Sequence, residues 1–382
     1  MATNNKKYFW NIVIIVAVTA IAMYFALKDN FKDIVDTIAK MNIFSLLFIL
    51  AWGMIINVVI GVGYKLLGSV YKKGYSLKEG VIVAFVGTFF AGITPSSTGG
   101  QFGQAYVLKR QGISYSDGAS LLWADFVIYQ TTLMIYVTIL FAARFGHYVN
   151  LNGWIWIVAA GYVVNVVVIV ALYTVALFPN FYTRLCEKVF HYLGKIKWFR
   201  GLEKKAENWV RQVSSFTQQT KVLSQNKQLI VGMLLVNFAR LTLYFALPFV
   251  VAMILGLKLH PSQFFDSLAL ASFVVMANSF VPLPGATGGT EMFFTMLFQY
   301  MFGRLTGAVL LLWRLSSYYI PVIVGAIIFT LFKNHEDSLD QKAAHRKLTS
   351  LTQESSFPTT SLPTSSLREE QSKINDSISR PS

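Results

Sequence analysis

The sequence predicts an all-α polytopic membrane protein with about six transmembrane helices and two re-entrant helical hairpins in inverted repeats. Three observations carry that prediction. Of 382 residues, 54% are hydrophobic and only 13% are charged, with mean hydropathy +0.52, whereas a soluble globular chain carries roughly 25% charged residues. Apolar runs recur along the chain at about the 20-residue length that a bilayer crossing demands. One short Pro/Gly-rich motif also occurs twice, each time inside an apolar region whose arms are too short to cross comfortably.

The runs fall near 8–27, 44–67, 119–143, 152–178, 229–256 and 305–332. In the first, Lys6 and Lys7 precede the apolar stretch and Ala20, Ile21 and Ala22 resemble a cleavage site. That triplet lies within a run that continues to about Leu27, so a retained first helix is predicted rather than a secretory signal. The aromatic content of 15% suits the interfacial belts of a multispanning protein.

The repeated motif reads Ile93-Thr94-Pro95-Ser96-Ser97-Thr98-Gly99-Gly100-Gln101 and, 189 positions later, Pro282-Leu283-Pro284-Gly285-Ala286-Thr287-Gly288-Gly289-Thr290-Glu291. Proline removes a backbone donor and glycine permits positive φ, so neither copy belongs inside a helix. The arm 81–94 would make only about 21 Å of helix, and the arms 265–281 and 291–303 about 25 and 20 Å. Both regions therefore read as hairpins that enter and leave on one side, which requires protein or a hydrated cavity around the bend.

Orientation follows from basic residues. With a cytoplasmic N-terminus and re-entrant hairpins, 22 Lys and Arg fall in inside segments and 6 in outside ones. Repeat one (about 44–143) and repeat two (about 229–332) then become inverted copies. Leu121-Leu122-Trp123 lies 190 positions before Leu311-Leu312-Trp313, close to the motif's own offset. Inverted repeats with broken helices at mid-membrane are the signature of transporters that alternate access.

The linker 179–228 is basic with apolar residues at helical spacing, including Phe181, Leu185, Val189, Trp198 and Trp209. It is expected to lie on the cytoplasmic leaflet; a plain solvated connector is the alternative. The tail 333–382 turns charged and then Ser/Thr/Pro-rich, and is expected to be disordered and cytoplasmic. The net charge of +15 is spread between apolar spans with no RNA-binding signature, so nucleic acid is not expected as a partner. Cys186 is the sole cysteine and the five histidines are scattered, so neither a disulfide nor a metal site is predicted, and no cofactor.

Intramembrane polar groups are costly and each needs an account; the candidates are Gln101, Gln104, Asp125, Gln130, Arg240, Asp266, Glu291 and Arg314. Arg314 has Tyr318 one turn on, and Arg240 has Tyr244 at the same spacing. Two guanidiniums near mid-membrane suit an anion such as phosphate; pairing with Glu291 and Asp125 is the structural alternative. Gly99-Gly100 and Gly288-Gly289 each precede a helix, so free N–H groups and the positive dipole end point at the bend. Pro95, Ser96, Ser97, Thr98, Gln101, Pro284, Gly285, Thr287, Thr290 and Tyr318 complete the candidate headgroup site, while Glu291 alternatively complements its own helix N-terminus. No Walker loop, H-E-x-x-H, nucleophile elbow or kinase set is present. Outside the spans no stretch exceeds about 50 residues, too few for a nucleotide-binding or acyltransferase domain.

The two motif blocks, Asn278 to Gly285 leading to Glu291, and Arg314 with Tyr318-Tyr319-Ile320-Pro321 resemble the flippase-like membrane domain of lysylphosphatidylglycerol synthases over residues 8–332. The resemblance implies movement of an anionic or aminoacylated phospholipid between leaflets of a bacterial cell membrane, with a role in resistance to cationic peptides. The full synthases carry a further domain that transfers lysine from lysyl-tRNA, and the resemblance here is to the membrane module alone. Phosphatidylglycerol lysyltransferase activity, or service as membrane partner of a separate synthase or glycosyltransferase, are the alternatives. A membrane phospholipid is the expected substrate, and a homo-oligomer is an open expectation.

Overall fold

The computed structural model describes residues 39–94, 97–143, 155–178, 225–281 and 283–355, together with 36, 146, 148, 181 and 184. The expected first span 8–27, Cys186, Pro95, Ser96 and nearly all of the linker 179–228 lie outside the described residues. What is described is helical, with no strand among the described residues. We number the helices α1 Ile43–Tyr71, α2 Leu77–Ile93, α3 Gly100–Arg110, α4 Tyr115–Ala143, α5 Ile155–Leu177, α6 Lys227–Ile254, α7 Ser262–Ala277, α8 Gly289–Phe302, α9 Thr306–Arg314 and α10 Ile320–Ser355. Among the described residues, five stretches are long and apolar enough to cross a membrane: α1, α4, Ile155–Thr174, α6 and Pro284–Glu336. The five predicted spans from 44–67 onward fall on them.

Two chain segments follow the same order. In the first, α1 packs on α2, α2 on α3, and α3 on α4; in the second, α6 packs on α7, α7 on α8, and α8 on α9. The match extends to single residues. The helix after each motif begins at Gly100 and Gly289, and among the described residues the non-glycine positions with positive φ are Ser97 (56°) and Ala286 (49°). Each of these pairs is separated by 189 positions, the offset of the motif itself.

The α2–α3 pair is a hairpin closed at its base. Ser76 caps α2 in a capping box with Glu79, and Lys72 pairs with Glu79 at 2.6 Å. Lys72 Nζ also donates to the Gln111 carbonyl at 2.9 Å, and Gln111 Nε2 donates to the Glu79 carbonyl at 3.1 Å. The residue after α3 is thereby fastened to the first turn of α2. At the tip, Thr94 Oγ1 accepts from Gly99 N at 2.8 Å and donates to the Phe90 carbonyl at 2.7 Å, which closes the turn.

Small residues let helices approach in the absence of a hydrophobic driving force between them. A Cβ on Gly80 would overlap the Gly61 carbonyl, and one on Gly61 would meet Val81, so α1 and α2 touch backbone to backbone. Elsewhere the contact is aromatic. Trp313 stacks on Phe294 at 4.9 Å and tilts against Tyr244 at 5.5 Å, while Phe298 stacks on Phe294 at 4.3 Å. All but Tyr244 are buried, in a cluster joining α4, α6, α7, α8 and α9. The α5 side chains Val163, Val167 and Val170 stay exposed, as a lipid-facing surface requires.

Between α9 and α10 the helix opens into one π-turn, Leu315–Tyr319, in which Ile320 N donates to the Leu315 carbonyl. Pro321 lies five residues beyond Ser316 and has no N–H, so the Ser316 carbonyl loses its donor. That carbonyl faces Gly53 of α1, where any Cβ would overlap it. The Ser316 hydroxyl enters the α1 ladder, accepting from Gly53 N at 3.1 Å and donating to the Ile49 carbonyl.

Residues from Ile327 onward form a separate compact unit. Its described part is helical to Ser355, past the point near Asn334 at which disorder is expected from composition. Gln341, Lys342, Ala343, Ala344 and Leu348 are strong helix formers, which favours helix locally.

Candidate functional site

The two motif loops differ in what surrounds them. In the second, Arg314 lies 2.9 Å from Glu291, with both side chains at most 4% exposed. The contact is coulombic, because neither Arg314 Nε nor Glu291 Oε1 has an aligned hydrogen bond. Arg314 Nη1 and Nη2 each donate to the Gly285 carbonyl at 3.3 Å, and the guanidinium lies 4.4 Å from the Tyr318 ring. Glu291 Oε2 accepts from Gly288 N at 2.6 Å, capping α8. Thr287, 1% exposed, turns its hydroxyl to the Pro284 carbonyl at 2.7 Å. Arg314 and Glu291 are thus in contact with each other, and their hydrogen bonds fasten Gly285 and Gly288.

The first loop opens onto a cavity of about 640 Å³. Ser97, Thr98, Gly100, Gln101 and Gln104 line it together with Tyr64, Asp125, Tyr129 and Arg240. Arg240 lies 4.2 Å from the Tyr129 ring and donates a long 3.4 Å hydrogen bond to Asn237 Oδ1. The ion pairs of the described residues, Lys72–Glu79 and Arg314–Glu291, do not include it. Asp125 accepts from Tyr64 at 3.0 Å, and Gln104 Nε2 donates to Tyr64 Oη at 2.7 Å. The site thus brings together a guanidinium outside salt-bridge contact, Ser97, the first residues of α3 and the Asp125 carboxylate.

A second cavity, about 390 Å³, shares Ser97 and Tyr129 with the first. Ala286 and Leu283 of the second loop line it, with Gln130, Asn165, Asn278 and Ser279. Gln130 Nε2 donates to Asn165 Oδ1 at 2.9 Å, and Asn165 Nδ2 donates to Ser279 Oγ at 2.8 Å. Asn278 Nδ2 donates to Thr290 at 2.9 Å, while its Oδ1 is buried without a partner. Among the described residues no group of three His, Cys, Asp or Glu is placed to hold a metal.

Of the sequence candidates, Ser97, Thr98, Gly100, Gln101 and Arg240 come together in one cavity. Gly285, Thr287, Gly288, Glu291, Arg314 and Tyr318 come together in the closed second loop. Gly99 turns its N–H to Thr94, Gly289 opens α8 and Pro284 opens its short turn. Asp266 lies apart, accepting from Tyr148 Oη at 2.8 Å. Tyr64, Tyr129 and Asn165 were not singled out by sequence; an asparagine in the apolar run 152–178 is the signal that would have found Asn165.

The transmembrane region described for lysylphosphatidylglycerol synthase has a family model that matches residues 12–325. A UPF0104 membrane protein of Archaeoglobus fulgidus is 24% identical over 275 residues, covering 69% of this chain and 79% of that protein.

Proposed function

The chain belongs to the lysylphosphatidylglycerol synthase transmembrane-region family, and from that premise we propose that it is a flippase for an anionic or aminoacylated phospholipid. The observation that carries the reading is the first cavity. Arg240, in no salt bridge among the described residues, lines with Ser97 and the first residues of α3 a space of headgroup size. Arginine binds phosphate in a bidentate fork, and a helix N-terminus adds backbone donors and a favourable dipole. Asp125 in the same cavity gives an ammonium a counter-charge, which suits an aminoacylated headgroup as well.

In this reading the hairpin α2–α3 enters the membrane from the cytoplasm and α7–α8 from outside, with both termini cytoplasmic in a bacterial plasma membrane. The second cavity, floored by the second loop, is the exit counterpart of the first. Tyr129 and Ser97 stand between them, so their displacement would connect the two sides in turn. Outward movement of an aminoacylated lipid would lower surface negative charge and raise resistance to cationic peptides.

The test is the leaflet distribution of fluorescent phospholipids in proteoliposomes. Wild type should equilibrate phosphatidylglycerol between leaflets, and Arg240→Ala should slow it about 10- to 100-fold, the worth of one charged hydrogen-bonded contact. Unchanged asymmetry with wild-type protein would sink the proposal. Cysteines placed at positions 97 and 286 in a Cys186→Ser background should label from opposite sides; labelling from one side would refute the inverted arrangement.

A further inference from the structure

Asp125 of α4 and Arg240 of α6 are the charged residues that line the first cavity, and among the described residues no salt bridge joins them. Besides Arg240, the titratable groups around Asp125 in this cavity are Tyr64 and Tyr129. With the acid and the arginine ionised, the cavity is neutral overall. Other charged groups on α4 and the helices packed against it are engaged or exposed elsewhere. The helix α5 has none, Asp266 of α7 accepts from Tyr148, and Asp117 of α4 accepts from Ser114. Lys65 of α1 and Lys227 of α6 are exposed, and Lys109 and Arg110 of α3 lie over the Tyr115 and Tyr106 rings. Asp125 is tied instead to the first hairpin. It accepts from Tyr64 Oη at 3.0 Å, which accepts from Gln104 Nε2 at 2.7 Å, and that amide abuts Gly87 of α2.

A net charge enclosed within a membrane is costly, so this balance limits what the cavity can carry. A headgroup whose only charge is a phosphate brings one negative charge and upsets it. A headgroup that adds an ammonium to the phosphate leaves it intact. We propose that Asp125 is a proton-binding site that couples lipid movement to the proton gradient, taking up one proton with a purely anionic headgroup and none with a zwitterionic one. The inference rests on the phosphate reading of the first cavity and gives it an energy source. In both loaded states Arg240 offsets the phosphate, and Asp125 is offset by a proton or by the headgroup's ammonium. The proton enters from the water on the side to which the cavity is open and leaves with the headgroup on the other. An anionic phospholipid thus moves as an electroneutral symport with one proton. Where the outside is the acidic side, that step returns anionic lipid inward, and a lipid carrying its own ammonium is free to make the outward one.

The experiment uses the full-length protein in phosphatidylcholine vesicles with a trace of acyl-labelled phosphatidylglycerol, a pH step of about one unit, and the membrane potential clamped. Symport with one proton should concentrate the label about tenfold in the leaflet on the alkaline side, over a protein-free background. Without the step the label should end evenly distributed. Asp125→Asn should end evenly distributed in either condition, whatever its rate, while Asp125→Glu, which keeps the carboxyl, should retain the bias. If Asp125→Asn moves no lipid, a proton count on wild type decides. Calorimetry in two buffers of different ionisation heat compares glycerophosphoglycerol with glycerophosphoethanolamine, phosphodiesters that do not titrate near neutral pH. About one proton should be taken up with the first probe and none with the second. An even label in wild type despite the step, a bias that survives Asp125→Asn, or equal proton counts for the two probes overturns the coupling and leaves the phosphate reading standing. No movement of label by wild type, with neither probe bound, overturns both.

Discussion

The Tyr318 hydroxyl donates to the Gly92 carbonyl at 2.8 Å. Gly92 lies in the last turn of α2, just before the first loop, and the Tyr318 ring packs so closely on Gly285 of the second loop that a Cβ there would overlap it. One side chain from the π-turn thus touches the second copy of the motif and the residue just before the first. Tyr318→Phe keeps the ring and removes the bond, which is worth about 1 kcal/mol net. A cysteine at position 97, in a Cys186→Ser background, should then react with a soluble maleimide about fivefold faster. An unchanged labelling rate would mean that the bond does not restrain the first loop.

Arg314 and Glu291 are predicted to matter for stability. Removing one partner of a buried pair leaves an uncompensated charge and costs about 3–5 kcal/mol. Glu291→Gln keeps an acceptor for Gly288 N but strands Arg314, and should lower the detergent melting temperature markedly. Glu291→Gln with Arg314→Gln should recover part of the loss in a double-mutant cycle. Additive single effects would show that the two charges do not interact.

Gly53→Ala should destabilise by at least about 2 kcal/mol, because the new methyl meets the Ser316 backbone carbonyl, which cannot rotate away. Gly232→Ala is the matched control: its Cβ would contact only the Leu66 Cδ1 atom, the end of a movable side chain. Equal melting temperatures for the two variants would count against the close approach at Ser316.

The base of the α2–α3 hairpin should loosen in acid. Burial pushes the Glu79 carboxyl up, but its bonds to Lys72 and Ser76 outweigh burial and hold it below the usual carboxylate range. A folded-state pKa below the unfolded one stabilises the fold above the unfolded value, near 4.3. That contribution is lost as pH falls through the folded value. Amide exchange over 77–80 should therefore accelerate below about pH 4 beyond its intrinsic pH dependence, and Glu79→Gln should show the faster exchange already at pH 7. Identical exchange in wild type and variant at pH 7 would refute the role.

Much of this architecture is legible in the chain because its signals are local. Proline and paired glycine mark both loops, apolar runs mark the spans, and a shared offset relates the two halves down to the backbone angles of Ser97 and Ala286. The division of labour between the arginines is not local. Arg314 is separated from Glu291 by 23 positions and a turn, and only the helix packing decides that it contacts this carboxylate while Arg240 makes no contact ion pair among the described residues. The cavity walls are likewise set by how α4 and α5 rotate about their axes, which is why Tyr129 and Asn165 escape a linear reading. The π-turn needed Pro321 to be weighed together with Gly53, a residue on another helix.

That turn makes residue count, as well as residue identity, a requirement of the fold. Leu315–Tyr319 holds one residue more than an α-turn, and a helix advances about 100° per residue. Deleting one residue there would turn the π-turn into an α-turn and leave the helix beyond it close to its present register, so the change in direction falls on the side chains of the turn itself. If Ser317 were lost, Tyr318 would turn away from Gly92 while Ser316 stayed in its place against α1. A deletion of one codon, keeping every contacting side chain chemically intact, would thus still part the Tyr318 side chain from the loops it touches.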